Sequence, residues 1–388
     1  MTVSSTANSG SHVRWRRAGV AVITALATAA ALAGCSSPSN GVPSAGTSDS
    51  AIPSYYPADY SKIIAASKEE SGDLTIYSNT DQTNWAPILR DFQSRYPWIK
   101  VAANNLDSDE VFQRQLSESA TGNAPADMLV SNAVQAWAKY ASKPGTLMTY
   151  ESPELKKLPD FATLMPNVSA MSLDPVGIAY NSSLMDKAPT SIASLAKIVS
   201  ADPGKYKGKI TTRDVKGSWG FSVSQAFTGG NSKAWNGLND VLPSARPETS
   251  SGTQKEKILS GEYLAGFFIS SAVGYPAETE SGGLLKFVLP TDGTVVLGRG
   301  IGITPKAPHP ASAKLLLDFV LSDAGQNAVA EGGLSSYRDS VKLIGGRHTY
   351  QEVEKLAGKE KIIRVPYTVV PDPDVSTFVS KWDGKLGR

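Results

Sequence analysis

Hydrophobic residues recur at every second position in some segments and at every third or fourth position in others, which predicts strands that alternate with helices along the chain. Residues 73–81, DLTIYSNTD, alternate as a strand does and then end in small polar residues. Residues 83–97, TNWAPILRDFQSRYP, carry apolar residues three and four positions apart and stop at a proline, as an amphipathic helix does. Two further strands, 98–104 and 126–132, flank a predicted helix at 108–120. This order is typical of a parallel α/β sheet.

The same alternation begins again after an extended stretch at 173–185, LDPVGIAYNSSLM, and extended chain returns at 285–310 before a helical stretch at 311–333. A chain of this length exceeds what one hydrophobic core usually serves. We therefore predict two α/β lobes joined by two crossings. The first lobe covers 59–174, the second covers 175–286, and 287–388 returns to the first lobe and adds a C-terminal segment.

The N-terminal region has the pattern of an export signal. Arg14, Arg16 and Arg17 precede an apolar, alanine-rich stretch at 18–33, which is too short for a confident membrane span but suits a secretory signal. The tetrapeptide that ends at Cys35, LAGC, resembles the bacterial lipobox, whose cysteine is lipidated and becomes the new N-terminus. We predict a signal peptide at 1–34 and a disordered tether, rich in Ser, Gly and Pro, at 35–58. The alternative is a buried structural cysteine beside an ordinary signal.

Charge and composition exclude several function classes. Without the three signal arginines, the formal net charge of +2 becomes about −1, and no basic cluster remains to bind nucleic acid or an anionic membrane surface. The single cysteine excludes a disulfide within the chain. The three histidines are too few for a His-rich metal site, so a transition metal would need carboxylates or tyrosines, and we predict neither metal nor cofactor.

Five segments follow one another in a recognisable order over most of the chain: LTIYS, PADMLVSN, VGIAYNSSLM with Tyr180-Asn181, KYKGKITTRD, and residues 309–333 with a Ser-x-x-Gly-Gln turn. In this order they resemble the extracellular solute-binding proteins of ABC importers, in the branch that includes ferric-iron-binding proteins. The resemblance implies a type II periplasmic-binding-protein-like fold with two hinge crossings. It also implies a monomeric receptor without enzymatic activity that closes on a small solute and delivers it to a membrane permease. With the lipobox, it predicts anchoring to the outer face of the cytoplasmic membrane.

The resemblance also bears on the solute. Ferric-binding members carry two adjacent tyrosines after the strand that reads GFFISSAVGY here, and this chain has Ser271 and Ala272 at that place, with Tyr275 further on. Hydroxyl groups and helix N-terminal amides instead suit an anion. Because the sequence shows no clustered acids or aromatics for a cation cage, we predict a small anionic solute, with ferric iron as the alternative.

The candidate solute contacts are polar residues where predicted strands end and helices begin. Arg213 could add a bidentate clamp for phosphate or carboxylate. Each candidate could instead have a purely structural role. Ser and Asn at strand ends and helix starts also cap helices or form turns. Trp219 could belong to the core, and Arg213 could pair with Asp214 at the surface. The other candidates are Ser78, Asn79, Thr80, Ser131, Asn132, Ser218, Trp219, Ser250, Ser251, Gly252, Ser270, Ser271 and Tyr275, and among them Ser78, Ser131, Ser218 and Ser251 are expected to hold the anion.

Two other functions are compatible with features of the same sequence. Ser194 and Lys197 match the Ser-x-x-Lys pattern of penicillin-recognising enzymes, but no Ser-Asp-Asn accompanies them and the Lys-Pro-Gly at 143–145 lies upstream. A lipid-anchored serine hydrolase is thus a weak alternative. A receptor that senses a solute for a membrane kinase would use the same fold as an importer receptor.

Overall fold

Strands and helices alternate in the predicted order in a computed structural model that describes residues 52–341 and 348–387, all within one compact unit. Cys35, the predicted signal peptide and most of the predicted tether lie outside the described residues. None of the helices in the described part is long and apolar enough to cross a membrane.

The first part of the chain forms a sheet that we call lobe 1. Strand β1 (Asp73–Ser78) lies between β2 (Lys100–Asn105) and β3 (Met128–Ser131) and is parallel to both. The other strands and the helices of this part are β4 (Thr163–Met165), α1 (Ser61–Glu69), α2 (Gln82–Arg95), α3 (Glu110–Ala120) and α4 (Val134–Ala141).

Strand β5 (Val168–Asn181) connects this sheet to a second one, which we call lobe 2. Its first half pairs antiparallel with β10 (Thr294–Ile303), which in turn pairs with β3. Its second half pairs antiparallel with β8 (Ala265–Ser270) and β9 (Leu285–Val288). The remaining elements of lobe 2 are β6 (Ile210–Arg213), β7 (Ala245–Glu248), α5 (Ile192–Ala201), α6 (Pro203–Tyr206), α7 (Ser218–Gly230), α8 (Ala234–Val241), α9 (Ser251–Leu259) and α10 (Ser271–Glu280).

The strand order along the combined sheet is β2-β1-β3-β10-β5-β8-β6-β7. Strands β1 and β3 in lobe 1, and β6 and β8 in lobe 2, are each followed by a helix, and the loops between them face the junction of the lobes. Ligands bind at the carboxyl ends of strands in such sheets, because helix N-termini and adaptable loops meet there. Each lobe has its own buried core, which includes Trp85 and Phe92 in lobe 1 and Phe227 and Phe267 in lobe 2.

The C-terminal part of the chain covers both lobes. Helices α11 (Pro310–Leu321) and α12 (Asp323–Glu331) pack on lobe 1, followed by α13 (Tyr350–Ala357), β11 (Ile362–Arg364) beside β10, and α14 (Asp372–Asp383). In α14, fully buried Trp382 stacks on Phe268 of lobe 2, with 6.3 Å between ring centroids. The sequence pattern of 287–388 did not reveal this contact with lobe 2.

The packed chain begins before the predicted start at 59. The hydroxyl groups of Tyr55 and Tyr56 both donate to Glu154 Oε1, at 2.9 and 2.6 Å. Tyr60 donates to Asp318 of α11 at 2.7 Å. These tyrosines therefore fix the end of the predicted tether to lobe 1, a role that the composition of the segment could not show because its partners are distant in sequence.

Candidate functional site

A cleft with a volume of about 370 Å³ lies where the two lobes meet. The loops after β1, β2 and β3 and the strand β10 form its lobe 1 wall. The loops after β6, β7 and β8 form its lobe 2 wall. The lobe 1 wall includes Asn79, Asp81, Asn84, Asn105, Asp107, Ser108, Glu110, Asn132 and Arg299, and the lobe 2 wall includes Arg213, Trp219, Ser250, Ser251, Gly252, Ser270 and Ala272.

Arg213, at the end of β6, is the cation of the lobe 2 wall. It is 7% exposed, and its Nη1 donates to Ser251 Oγ at 3.3 Å. Its buried Nε has no hydrogen-bond partner among the described residues. The guanidinium stacks on the Trp219 ring at 4.4 Å from the centroid. No carboxylate of a described residue lies within ion-pair distance of it. Burial lowers the pKa of Arg213 to about 10, so it remains protonated at neutral pH.

Two helices begin beside Arg213. Ser250 caps α9 by accepting a hydrogen bond from the Thr253 amide at 2.9 Å, and Ser251 Oγ accepts one from the Ser270 amide at 3.1 Å. Within the described part of the chain, helix α10 begins after Ser270 without a side-chain cap, and the buried Ser270 hydroxyl has no hydrogen-bond partner. Free amides at the start of a helix favour a negatively charged group.

An irregularity in β8 shapes this wall. The pairing of β5 with β8 shifts register at Gly177, and Phe268 on the opposite strand has a φ of 58°, which is unusual for a residue other than glycine. Such bulges redirect the side chains that follow them. Ser270, two residues further along the strand, lines the cleft.

Arg299, on β10, is the buried cation of the lobe 1 wall, and its charge is paired. Its Nη2 lies 2.8 Å from Asp174 Oδ2 on β5, and its Nη1 donates to Asn79 Oδ1 at 3.1 Å and to Thr80 Oγ1 at 2.8 Å. Asn79 in turn donates to Asn132 Oδ1 at 2.7 Å and to Ser108 Oγ at 3.0 Å. Arg299 therefore orients the amides of the lobe 1 wall.

Carboxylates stand at the mouth of the same wall. Asp81, Asp107 and Glu110 are exposed, and all three line the cleft. They lie in separate loops that the parallel sheet brings to one edge, and among the described residues they form no group of three acids that could hold a metal ion. None of the three forms an ion pair with a described lysine or arginine.

Two hydrogen bonds join the two walls directly among the described residues. Asp109 Oδ2, before α3, accepts a hydrogen bond of 3.0 Å from the Ser218 amide at the start of α7. Asn84 Nδ2, on α2, donates to the Ala272 carbonyl on α10 at 3.3 Å. Gly220 allows α7 to start here, since a β-carbon on it would lie 2.0 Å from the Asp214 carbonyl oxygen. Both contacts join helix starts of opposite lobes.

Eight of the predicted contacts line the cleft, and the others lie elsewhere. Trp219 also belongs to the core of lobe 2, so both of its predicted roles apply. Arg213 is buried in the cleft, which excludes the alternative of a surface pair with Asp214. The eight are Asn79, Asn132, Arg213, Trp219, Ser250, Ser251, Gly252 and Ser270.

Ser78, Thr80 and Ser131 lie behind the lobe 1 wall and serve the turns there. Ser78 Oγ accepts hydrogen bonds from the Thr80 amide at 3.0 Å and from Trp85 Nε1 at 3.2 Å. Ser131 Oγ accepts one from the Ala133 amide at 3.1 Å. Short polar side chains at these strand ends accept hydrogen bonds from the turn amides. A solute-binding site would place the same residue types at the same positions, so the sequence pattern does not distinguish the two roles.

Ser218, Ser271 and Tyr275 are also not among the lining residues of the cleft. Ser218 contributes its amide to Asp109, and Ser271 is fully buried. Tyr275 is buried in lobe 2, where its ring packs on Phe287 at 4.9 Å between centroids. Within 52–341 and 348–387, no three His, Cys, Asp or Glu side chains form a group that could hold a metal ion.

Ser194 has a structural role. Its Oγ accepts hydrogen bonds from the amides of Thr190 and Ser191, at 2.8 and 2.9 Å, and completes the capping box at the start of α5. The Ser-x-x-Lys pattern is thus explained by helix capping.

Comparison with known proteins agrees with this architecture. Residues 88–356 match the family described as bacterial extracellular solute-binding protein. The substrate-binding protein of an ABC transporter from Agrobacterium tumefaciens superposes with a TM-score of 0.72 at 20% identity, covering 81% of this chain and 96% of that one.

Two further structures share the fold. The periplasmic binding protein AfuA from Actinobacillus pleuropneumoniae, with fructose 6-phosphate bound, has a TM-score of 0.65 at 22% identity and covers 81% of this chain and 99% of its own. Iron-bound HitA from Pseudomonas aeruginosa has a TM-score of 0.58 at 19% identity, with coverages of 81% and 98%. The fold class predicted from the sequence is confirmed, and the similar proteins are binding proteins rather than enzymes.

Proposed function

Since the chain belongs to the bacterial extracellular solute-binding proteins, we propose that it is the receptor of an ABC importer and binds a small anionic solute between its two lobes. The observation that carries the proposal is the buried, protonated Arg213, which lines the cleft without an ion-pair partner among the described residues. The carboxylates of Asp107, Asp214 and Asp109 act on it only from beyond ion-pair distance. A buried charge that is not paired is costly unless a ligand supplies the partner.

The groups around Arg213 suit a tetrahedral oxyanion. The guanidinium offers several donors, the Ser251 and Ser270 hydroxyls lie in the same wall, and the amides that begin α9 and α10 add partial positive charge. Phosphate esters and phosphonates have the geometry to accept from all of them. AfuA, which shares the fold, holds a phosphate ester, and this supports the proposal for the present chain.

The solute would be delivered to a permease in the membrane. Contacts to both walls would favour the closed arrangement of the lobes, since a ligand shifts a hinge equilibrium only through interactions that differ between its states. We propose that Cys35 is lipidated and keeps the receptor at the outer face of the membrane. If the Cys35→Ser protein is processed normally and still fractionates with membranes, this anchor assignment is wrong.

The site is tested by titrating the protein with inorganic phosphate and ethyl phosphate in a calorimeter. Arg213→Met should weaken binding by about 100-fold, because the truncation removes a buried charged donor. The matched control is Arg246→Met, which changes an arginine of β7 in the same sheet outside the cleft and should leave affinity unchanged. Equal affinity of the Arg213 variant and the wild type would contradict the proposed site.

A further inference from the structure

The side-chain amides of the lobe 1 wall form a chain of hydrogen bonds with one fixed direction. Arg299 Nη1 donates to Asn79 Oδ1 at 3.1 Å, and Asn79 Nδ2 donates to Asn132 Oδ1 at 2.7 Å and to Ser108 Oγ at 3.0 Å. A guanidinium group has donors and no acceptor, so the Asn79 atom beside it must be the oxygen. The Asn79 nitrogen then faces Asn132 and Ser108, and each of these must present an acceptor to it.

Asn132 is the end of this chain of hydrogen bonds. Both amide protons of Asn79 are used within the wall, whereas Asn132 Nδ2 donates to no described residue. Asn132 is 3% exposed and lines the cleft, and its nitrogen is not fully enclosed by protein atoms. Two amide protons of a nearly buried residue are therefore open to the cleft, where an acceptor on a solute can bind them.

A second donor lies beside these protons. Ser108 also lines the cleft, and its hydroxyl group accepts from Asn79 and donates to no described residue. Ser108 Oγ and Asn132 Oδ1 both lie within 3.0 Å of the same nitrogen atom of Asn79, so the two groups are neighbours. A carbonyl oxygen has two lone pairs and no proton, and it can accept from both donors.

We propose that the solute carries an uncharged carbonyl oxygen that accepts a hydrogen bond from Asn132 Nδ2, with Ser108 as the second donor. The inference rests on the proposed function, since it assigns a further group of the same solute. A second anionic group is disfavoured, because three carboxylates line the same cleft and the oxyanion already binds Arg213. Arg299 is a positioning residue, since it fixes the direction of both amides.

Pairs of phosphate esters that differ only in a carbonyl group provide the test. Keto-alkyl phosphates, with the carbonyl group at the second, third or fourth carbon from the ester oxygen, are each titrated beside the alkyl phosphate of the same chain length. In the wild type, the keto ester whose oxygen reaches Asn132 should bind about tenfold more tightly than its alkyl partner, because the alkyl chain leaves the amide protons unpaired. The series makes the test independent of the exact length of the solute.

Asn132→Asp reverses the polarity of this group and keeps its shape. The aspartate oxygens accept from Asn79 but offer no proton to the solute, so the preference for the keto ester should disappear. The added charge should weaken both members of each pair by a similar factor. Asn104→Asp is the matched control, since it adds the same charge on β2 outside the cleft and should leave the preference at about tenfold.

Arg299→Lys tests the positioning role of this arginine. Lysine keeps a cation beside Asp174 but lacks the second nitrogen that reaches Asn79, so it no longer fixes the direction of the amides. The preference for the keto ester should fall to about threefold. A preference that stays at about tenfold would contradict the positioning role.

The ratio of the two affinities separates a solute contact from a structural role. A structural role of Asn132 alone would weaken keto and alkyl esters alike and leave their ratio unchanged. The inference is overturned if no keto ester binds the wild type more tightly than its alkyl partner, or if Asn132→Asp retains the preference. In either case, loss of alkyl phosphate binding in Arg213→Met would still support the oxyanion site, whereas failure of every ester to bind the wild type would contradict both proposals.

Discussion

The two walls of the cleft each contain a buried arginine, and the two arginines differ in their partners. Arg299 in lobe 1 is 2% exposed and contacts Asp174, Asn79 and Thr80. Arg213 in lobe 2 is 7% exposed and donates only to Ser251 among the described residues. The comparison separates a charge that holds the wall in place from a charge left available to a ligand.

This difference has an energetic basis. An ion pair inside a protein balances the loss of hydration when geometry and hydrogen bonds are good, and removal of one partner leaves the other uncompensated. A buried cation without an ion-pair partner is instead driven towards its neutral form. Burial lowers the pKa of Arg213 to about 10, although the more distant charges of Asp107, Asp214 and Asp109 oppose this shift.

The largest expected effect is that of Arg299→Met on stability. The variant leaves the fully buried Asp174 without its cation, so the free energy of unfolding should fall by about 3–5 kcal/mol. Urea unfolding followed by circular dichroism measures it. Arg213→Met is the matched control and should change the free energy by less than about 1 kcal/mol, since it strands no carboxylate. Similar losses in both variants would remove the distinction between the walls.

A smaller effect is expected at Asp318, a buried carboxylate of α11 that forms no ion pair with a described residue. It accepts hydrogen bonds from Tyr60 and Tyr150, and burial raises its pKa to about 6. Because the folded state binds the proton more tightly than the unfolded state, stability should fall as pH rises through 6, by about 1 kcal/mol between pH 5 and pH 7.

Asp318→Asn isolates this contribution, because the amide keeps an acceptor oxygen for the tyrosines and does not titrate. The variant should lose that part of the pH dependence and be the more stable protein at pH 7. Denaturant unfolding at the two pH values, with Asp160→Asn as the exposed control, measures the difference. An unchanged pH dependence in Asp318→Asn would show that this carboxylate titrates normally.

The element order was predictable because period and turn chemistry are local properties of the sequence. Asn79, Asn132 and Ser251 were found because strand ends of a parallel sheet converge at one edge. Arg299 was missed although it is a single cation inside an apolar strand, VVLGRGIGI, a pattern that signals a buried partner. Its partner Asp174 lies on another strand, and only the pairing of β5 with β10 brings them together.

Ser78 and Ser131 were predicted as solute contacts, but they do not line the cleft. Their hydroxyls satisfy turn amides inside lobe 1, and the same residue types at the same strand ends would equally serve a solute. The acids of the mouth were missed for another reason, since Asp81 and Asp107 follow different strands and become neighbours only in the sheet. Sequence pattern therefore located the edge of the sheet, and packing decided which side chains face the cleft.

The central claim is that Arg213 receives the oxyanion of the solute. A crystal structure of the wild-type protein with ethyl phosphate tests it most directly. The account predicts the phosphate group against the Arg213 guanidinium and the first residues of α9 and α10. A phosphate group bound outside the cleft, or bound within it away from Arg213, would contradict the account.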